Sequence, residues 1–393
     1  MLRARLEPII TGLITSAKLR DFRRAIKARR RGAARAVIEY FHQPDDPYSH
    51  LAAQVLEPLR AAFDIDLRVH LVAPPAADAA PDAVRLQAYA RRDAAMLARA
   101  HGLDFPDEFS QPTAATGGLP FRVDTPLDVA LAEGTARRAK LGHYLGAMFH
   151  FEGEWYWGID RLPHLAARLA ANGLSRPGVA PALPAQLHET GATTVSGRKL
   201  RLDFFASLRS PYTYLAAARA RRLAEAYGAE FRIRYVLPMV MRGLPVPRAK
   251  RLYIVLDAKR EAERLGLPFG RIKDPVGKGV ERGLAVLAGA IALGKGAAFL
   301  ESFLAGAFAE GIDATTDRGL TMLAARAGLS AADVAAALKD ETWRQVADSN
   351  RQELLDLGLW GVPSFRVNDG PAHWGQDRLW AIENDLRAFG GQA

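Results

Sequence analysis

One stretch of this chain is written twice. Residues 43–50 read QPDDPYSH and residues 207–214 read SLRSPYTY, and Glu39 through Ala53 aligns without a gap on Asp203 through Ala217. Phe41 pairs with Phe205, Pro47 with Pro211, Tyr48 with Tyr212, and Leu51-Ala52-Ala53 with Leu215-Ala216-Ala217. The far ends match as well: YWGIDRLPHLAARL (156–169) shares Trp-Gly and Asp-Arg-Leu with HWGQDRLWAIENDL (373–386). Two distant motifs recurring in the same order predict a tandem duplication, and so two domains of one fold. A length of 393 residues agrees, being too long for one typical core.

Each copy opens with a short β-rich run, a turn ending in Pro-Tyr, an amphipathic helix, and an alternating apolar strand. A long helical segment follows, roughly Pro247 to Leu357 in the second copy. The second copy closes with GVPSFRVNDGPAHWGQDRL: a strand from Val362 to Val367, an Asn-Asp-Gly turn, a short strand and a final helix. Between the copies, GLSRPGVAPALPAQLHETGATTVSG (173–197) has linker composition. The expected division is a basic N-terminal helical arm at 1–34, a first domain at 35–172, a linker at 173–197 and a second domain at 198–393. The order β-α-β, helical insertion, β-β-α is that of a thioredoxin-type half-open sheet with a helical lid.

Composition narrows the chemistry. The chain has no cysteine, which excludes disulfides, thiolate metal sites and CxxC redox chemistry. Its 49% hydrophobic and 24% charged content suits a soluble globular protein. No window approaches the roughly eighteen consecutive apolar residues of a spanning helix. The start fails as a signal peptide, its apolar stretch being short and interrupted by Glu7, so the expected compartment is the cytoplasm. The net charge of +10 lies mostly before residue 36, in Arg3, Arg5, Lys18, Arg20, Arg23, Arg24, Lys27, Arg29, Arg30, Arg31 and Arg35 against Glu7 and Asp21. Two readings of this arm stay open: a solvated amphipathic helix packing on its own protein, or an arm that binds phosphates or an anionic surface. Eight of the nine histidines fall before residue 190 without HExxH spacing, so no metal is expected.

Asp203-Phe204-Phe205, Ser210-Pro211-Tyr212, Gly361-Val362-Pro363 and Trp374-Gly375-Gln376-Asp377-Arg378-Leu379 follow one another around the helical insertion. Together they resemble the 2-hydroxychromene-2-carboxylate isomerase and kappa-class glutathione transferase branch of the DsbA-like thioredoxin superfamily. The resemblance covers Lys199 to Phe389 and extends more weakly over the first copy. It implies an α/β chain of two tandem thioredoxin-like domains of DsbA/kappa type. It also implies glutathione as cofactor and an isomerase or transferase activity on a small unsaturated or aromatic acid.

By the resemblance, Ser210 is the catalytic serine, where redox relatives carry cysteine. Physically it stands at a helix start before a proline, an N-cap position worth about 1 kcal/mol. The same helix end favours an anion, such as a thiolate whose pKa it lowers. Pro363 is implied to be cis, turning the backbone of Val362 toward the peptide-like middle of glutathione; the plain alternative is a trans proline on an edge strand. Asp377, with Gln376 beside it, is implied to hold the γ-glutamyl ammonium, or else is simply an acid at a helix start.

The family's usual asparagine after the second strand is replaced, Arg242-Gly243-Leu244 standing there, and Arg209 is a bulky charged neighbour of Ser210. Arg242 becomes the candidate for a substrate carboxylate. The first copy carries Asp46 at the serine position and Met148 roughly where Pro363 falls, so it reads as a domain that keeps the fold without the chemistry. The expected partners are a small-molecule substrate and, within the chain, the other domain, with self-association left open. The rival readings are a non-catalytic thioredoxin-fold scaffold and a protein that binds nucleic acid through its basic arm.

Overall fold

A computed structural model describes residues 2–105, 125–191 and 198–391. Residues 106–124 in the first copy's insertion, 192–197 at the end of the expected linker, and positions 1, 392 and 393 lie outside them, and side chains are described from residue 6.

Along the chain come helices α1 (Leu2–Ile14) and α2 (Ala17–Arg31), strand β1 (Ala36–His42), helices α3 (Pro47–Ala53) and α4 (Leu56–Ala62), and strand β2 (Ile65–Leu71). Then follow α5 (Ala83–His101), α6 (Leu127–Lys140), the hairpin β3 (Met148–Phe151) and β4 (Glu154–Trp157), and α7 (Leu162–Ala171). The second half runs β5 (Arg201–Ala206), α8 (Pro211–Ala226), β6 (Glu230–Tyr235) and α9 (Arg248–Arg264). Its insertion continues with α10 (Lys278–Ala292), α11 (Gly296–Ala305), α12 (Asp317–Arg326), α13 (Ala331–Ala337) and α14 (Trp343–Asp356). It closes with β7 (Ser364–Val367), β8 (Ala372–Trp374) and α15 (Leu379–Phe389).

The strands form two four-stranded mixed sheets of one topology, ordered β2-β1-β3-β4 and β6-β5-β7-β8. In each, the first strand pairs parallel with the second and antiparallel with the third. The parallel register also repeats: Ile38 lies opposite Leu67, and Leu202 opposite Phe231. The two-domain α/β fold expected from the repeat is therefore present.

The chain divides into two compact units. The C-terminal unit comprises Met1–Leu19, Leu187–Val246 and Ile254–Ala393; the N-terminal unit comprises Arg20–Gln186 and Pro247–Tyr253. The basic arm thus contributes to both. In the N-terminal unit Arg24 makes a two-pronged pair with Glu154 at 2.7 and 2.6 Å, and Arg31 pairs with Glu152. The ends of the Pro/Gly-rich segment are anchored as well. Asp64 N–H donates to Leu174 O at 2.8 Å in one unit, and the Thr190 hydroxyl donates to Glu383 at 2.7 Å in the other.

Strand β5 explains the C-terminal core. Phe204 stacks on Phe365 at 5.1 Å within a cluster that takes in Leu215, Leu284, Phe299, Phe303 and Leu320, while Phe205 is buried on the other face. A central strand covered on both faces reads as a mostly apolar run, as LDFFA does apart from Asp203, which pairs with Arg201 and Arg232. The first copy departs from expectation at its first helix, which is broken between α3 and α4. Pro58 has no N–H for Gln54 O, and its ring would crowd that carbonyl, so the helix interrupts at Gln54 and Val55. Arg222 stands at the matching place in α8, which runs unbroken for 16 residues.

Candidate functional site

Ser210 ends the tight turn after β5. Its N–H donates to Ser207 O at 3.1 Å, its backbone is extended (φ −99°, ψ 116°), and its Oγ accepts from Thr213 N–H at 3.1 Å. Pro211 occupies the first helical position, where a missing N–H costs nothing. The Ser210 hydroxyl donates its own proton to Val362 O at 3.4 Å, joining the start of α8 to the turn before β7. The Val362–Pro363 peptide is cis. Val362 N–H has no hydrogen-bond partner among the described residues. Gly361 is required by closeness, since a Cβ there would lie 2.0 Å from the Trp374 ring. The charge of Arg209 is drawn away by a two-pronged pair with Asp274 at 2.7 and 2.6 Å.

Arg242 ends a 3₁₀ turn, Met239–Arg242, that follows β6. Its Nη2 donates to Trp360 O at 3.3 Å, two residues before Val362, and its buried Nε has no partner. No carboxylate pairs with it among the described residues, and burial pulls its pKa below the usual arginine value, with Arg351 adding to the effect. Leu244 N–H closes the turn by donating to Met239 O at 3.1 Å.

Gln376 is engaged within the protein. It is 1% exposed, and its amide is committed at both ends. Oε1 accepts from Arg219 Nη1 at 2.7 Å, while Nε2 donates to Glu261 at 3.0 Å and to Asp377. Arg219 is held in turn by Glu189 through two bonds of 2.7 Å. Both amide hydrogens are thus taken up within the protein, and Gln376 orients the half-buried Asp377.

One buried acid escaped the sequence reading. Asp257 on α9 is 1% exposed and accepts from the Tyr212 hydroxyl at 2.8 Å, with Arg260 at 3.2 Å. The N-terminal unit repeats the bond: Tyr48 donates to Asp93 on α5 at 2.8 Å, again 45 residues along the chain. The signal was in the sequence, because AYARRDAAMLARAHGLDF (88–105) aligns with LYIVLDAKREAERLGLPF (252–269), sharing Tyr, Asp and Gly-Leu-x-Phe.

The first copy's helix start is built differently. The Asp46 carboxylate accepts from Ser49 N–H at 2.9 Å, the Ser49 hydroxyl at 2.8 Å and Tyr48 N–H at 3.4 Å. Burial outweighs these bonds and pushes its pKa up to about 6. Register corrects the position of Met148. Phe41 lies opposite Met148 where Phe205 lies opposite Ser364, so Ala147, not Met148, matches Pro363. Gly158 N–H donates to Ala147 O at 2.7 Å as Gly375 N–H does to Pro363 O at 2.9 Å. The two closing hairpins differ in length, which hid this from the sequence.

Residues 201–387 match the family model of the DSBA-like thioredoxin domain. No curated protein matches the chain. Among solved structures it is similar to a 2-hydroxychromene-2-carboxylate isomerase, at 22% identity and a TM-score of 0.41, over 49% of this chain and 98% of that one. It is also similar to the cytosolic disulfide reductase DsbM of Pseudomonas aeruginosa solved with GSH, at 24% identity and a TM-score of 0.39, over 48% and 96%. A probable DsbA oxidoreductase from Streptomyces coelicolor matches at 21% identity and a TM-score of 0.38, over 49% and 91%. The domain carries no cysteine, so it has no thiol of its own for disulfide exchange.

Proposed function

We propose that the C-terminal domain is a glutathione-dependent isomerase or transferase acting on a small unsaturated or aromatic acid. The observation that carries the reading is Ser210: a hydroxyl at the start of α8, bonded to Val362 O beside an unpaired Val362 N–H, in a domain without cysteine. An unpaired N–H on the half-buried Val362 suits a peptide-like ligand. Glutathione, when bound, supplies a thiolate that adds reversibly to an electrophilic carbon. Ser210 and the positive end of the α8 dipole stabilise negative charge on sulfur. Asp377, oriented by Gln376, pairs with the ligand's ammonium group. Arg242, lacking a carboxylate partner, takes the substrate's acid group.

Isothermal titration of the full chain with glutathione tests the reading, run beside Ser210→Ala and Asp377→Ala. Micromolar to low-millimolar binding is expected, weakened about tenfold or more by Asp377→Ala. Ser210→Ala should change affinity little and instead raise the pH at which the bound thiol ionises, followed by ultraviolet thiolate absorbance. No heat from a folded sample at millimolar glutathione leaves the non-catalytic scaffold.

A further inference from the structure

Helix α1 faces the wrong way for a helix of a globular protein. Its polar side packs on the C-terminal unit. The Thr11 hydroxyl accepts from Ile272 N–H at 2.9 Å, Glu7 pairs with Lys273 at 3.1 Å, and Thr15 is 5% exposed. Pro8 presses on Gly311, where a Cβ would lie 2.8 Å from its ring. The other side carries Leu6, Ile9, Ile10, Leu13 and Ile14, exposed by 40, 57, 48, 56 and 40%. That spacing is one continuous apolar stripe, which ordinarily turns inward. The next helix in the chain, α2, leaves Phe22 64% exposed among exposed Lys18, Arg23, Arg29 and Arg30.

We propose that the α1 stripe docks on an anionic lipid surface, lying in the plane of the interface. At 13 residues α1 is too short to span the bilayer, for which about 20 are needed. Among the described residues no single helix is long and apolar enough to cross a membrane. An apolar stripe flanked by cations is the composition of a helix that seats in the headgroup region. Charge decides between occupants. Arg24, Arg31 and Arg35 already pair with Glu154, Glu152 and Asp64, but Lys18, Arg23, Arg29 and Arg30 remain exposed, an excess of charge that anionic headgroups neutralise. A second copy of this chain would instead bring the same excess charge to the contact.

Sedimentation of the full chain with vesicles tests this, comparing phosphatidylcholine alone with an equal mixture of phosphatidylcholine and phosphatidylglycerol. Binding to the mixed vesicles is expected at about 0.05 M salt, falling as salt is raised. Little binding to phosphatidylcholine alone is expected. Ile9→Glu and Leu13→Glu should each weaken binding about tenfold with the circular dichroism spectrum unchanged, both side chains being more than half exposed. Failure to bind the mixed vesicles at low salt overturns the proposal, as does binding insensitive to both substitutions. A dimer in sedimentation velocity that both substitutions dissociate overturns it too, making the second copy the occupant.

Discussion

The two copies solve one local problem in opposite ways. Each must cap a helix that starts at Pro47 or Pro211, and each uses the third helical residue, Ser49 or Thr213, to accept the N–H of the strand-end residue, Gln43 at 3.1 Å or Ser207 at 3.5 Å. In the N-terminal copy the arrangement closes on itself. Ser49 also accepts from Ala147 N–H at 2.9 Å and gives its proton to Asp46. In the C-terminal copy Pro363 has no N–H to give, and Ser210 reaches Val362 O instead, leaving Val362 N–H unmatched. Gly146, the counterpart of Val362, also has an N–H without a partner among the described residues, but Gln43 stands against it: a Cβ at Gly146 would lie 2.6 Å from Gln43 Cβ. The fold tolerates both; what separates them is the acceptor of the serine hydroxyl, a carboxylate in one copy and a backbone carbonyl in the other.

The sharpest way to break this comparison is to write the first copy's residue into the second. Ser210→Asp preserves the cap, since aspartate caps as well as serine, so the domain should keep its stability. A carboxylate at the start of α8 opposes a thiolate there, and like charges in a partly dry site cost several kcal/mol. Glutathione affinity is therefore expected to fall at least about a hundredfold in titration calorimetry. Unchanged affinity would mean that the sulfur lies elsewhere.

The carboxylate already present makes a second test, of pH. In the folded state Asp46 has a pKa of about 6 against an ordinary 3.8. A raised folded pKa means that the folded protein holds the proton more tightly. Stability linked to Asp46 is thus full below about 4 and is lost as pH rises through 6, by at most about 3 kcal/mol. Hydrogen exchange of the α3 amides, followed from pH 4 to 7, should show protection falling in wild type. Asp46→Asn, which stays neutral, should flatten that slope. A wild-type profile already flat across the window contradicts the burial argument.

Much of this was legible in the residues. The repeat gave the fold, because Pro-Tyr turns and the Trp-Gly closing motif mark the same joints twice. Ser210 was legible because a small polar residue before proline announces a helix start. What escaped depended on distance or direction. Gln376 looked available because its partners Arg219 and Glu261 lie on α8 and α9, far along the chain. Ala147 was hidden by unequal hairpins. The periodicity of α1 marked a stripe but carries no information on which face packs inward.

The smallest expected effect concerns the tyrosine bonds that the copies share, and it asks whether the acids beneath them are equally dependent. Removing a hydroxyl from a buried carboxylate costs about 1–3 kcal/mol. After Tyr48→Phe, Asp93 retains the neutral hydroxyl of Tyr89 at 3.0 Å. After Tyr212→Phe, Asp257 retains the guanidinium of Arg260 at 3.2 Å. A charged partner compensates a buried carboxylate better than a neutral one. Tyr48→Phe and Tyr212→Phe should each cost about 1–3 kcal/mol, read from hydrogen exchange in α3 and α8. A smaller loss at Tyr212 would show that Arg260 compensates Asp257 for the missing hydroxyl. A larger loss at Tyr212 would mean that the C-terminal copy has retained this bond under the greater electrostatic demand, as a domain holding an open anion site would require.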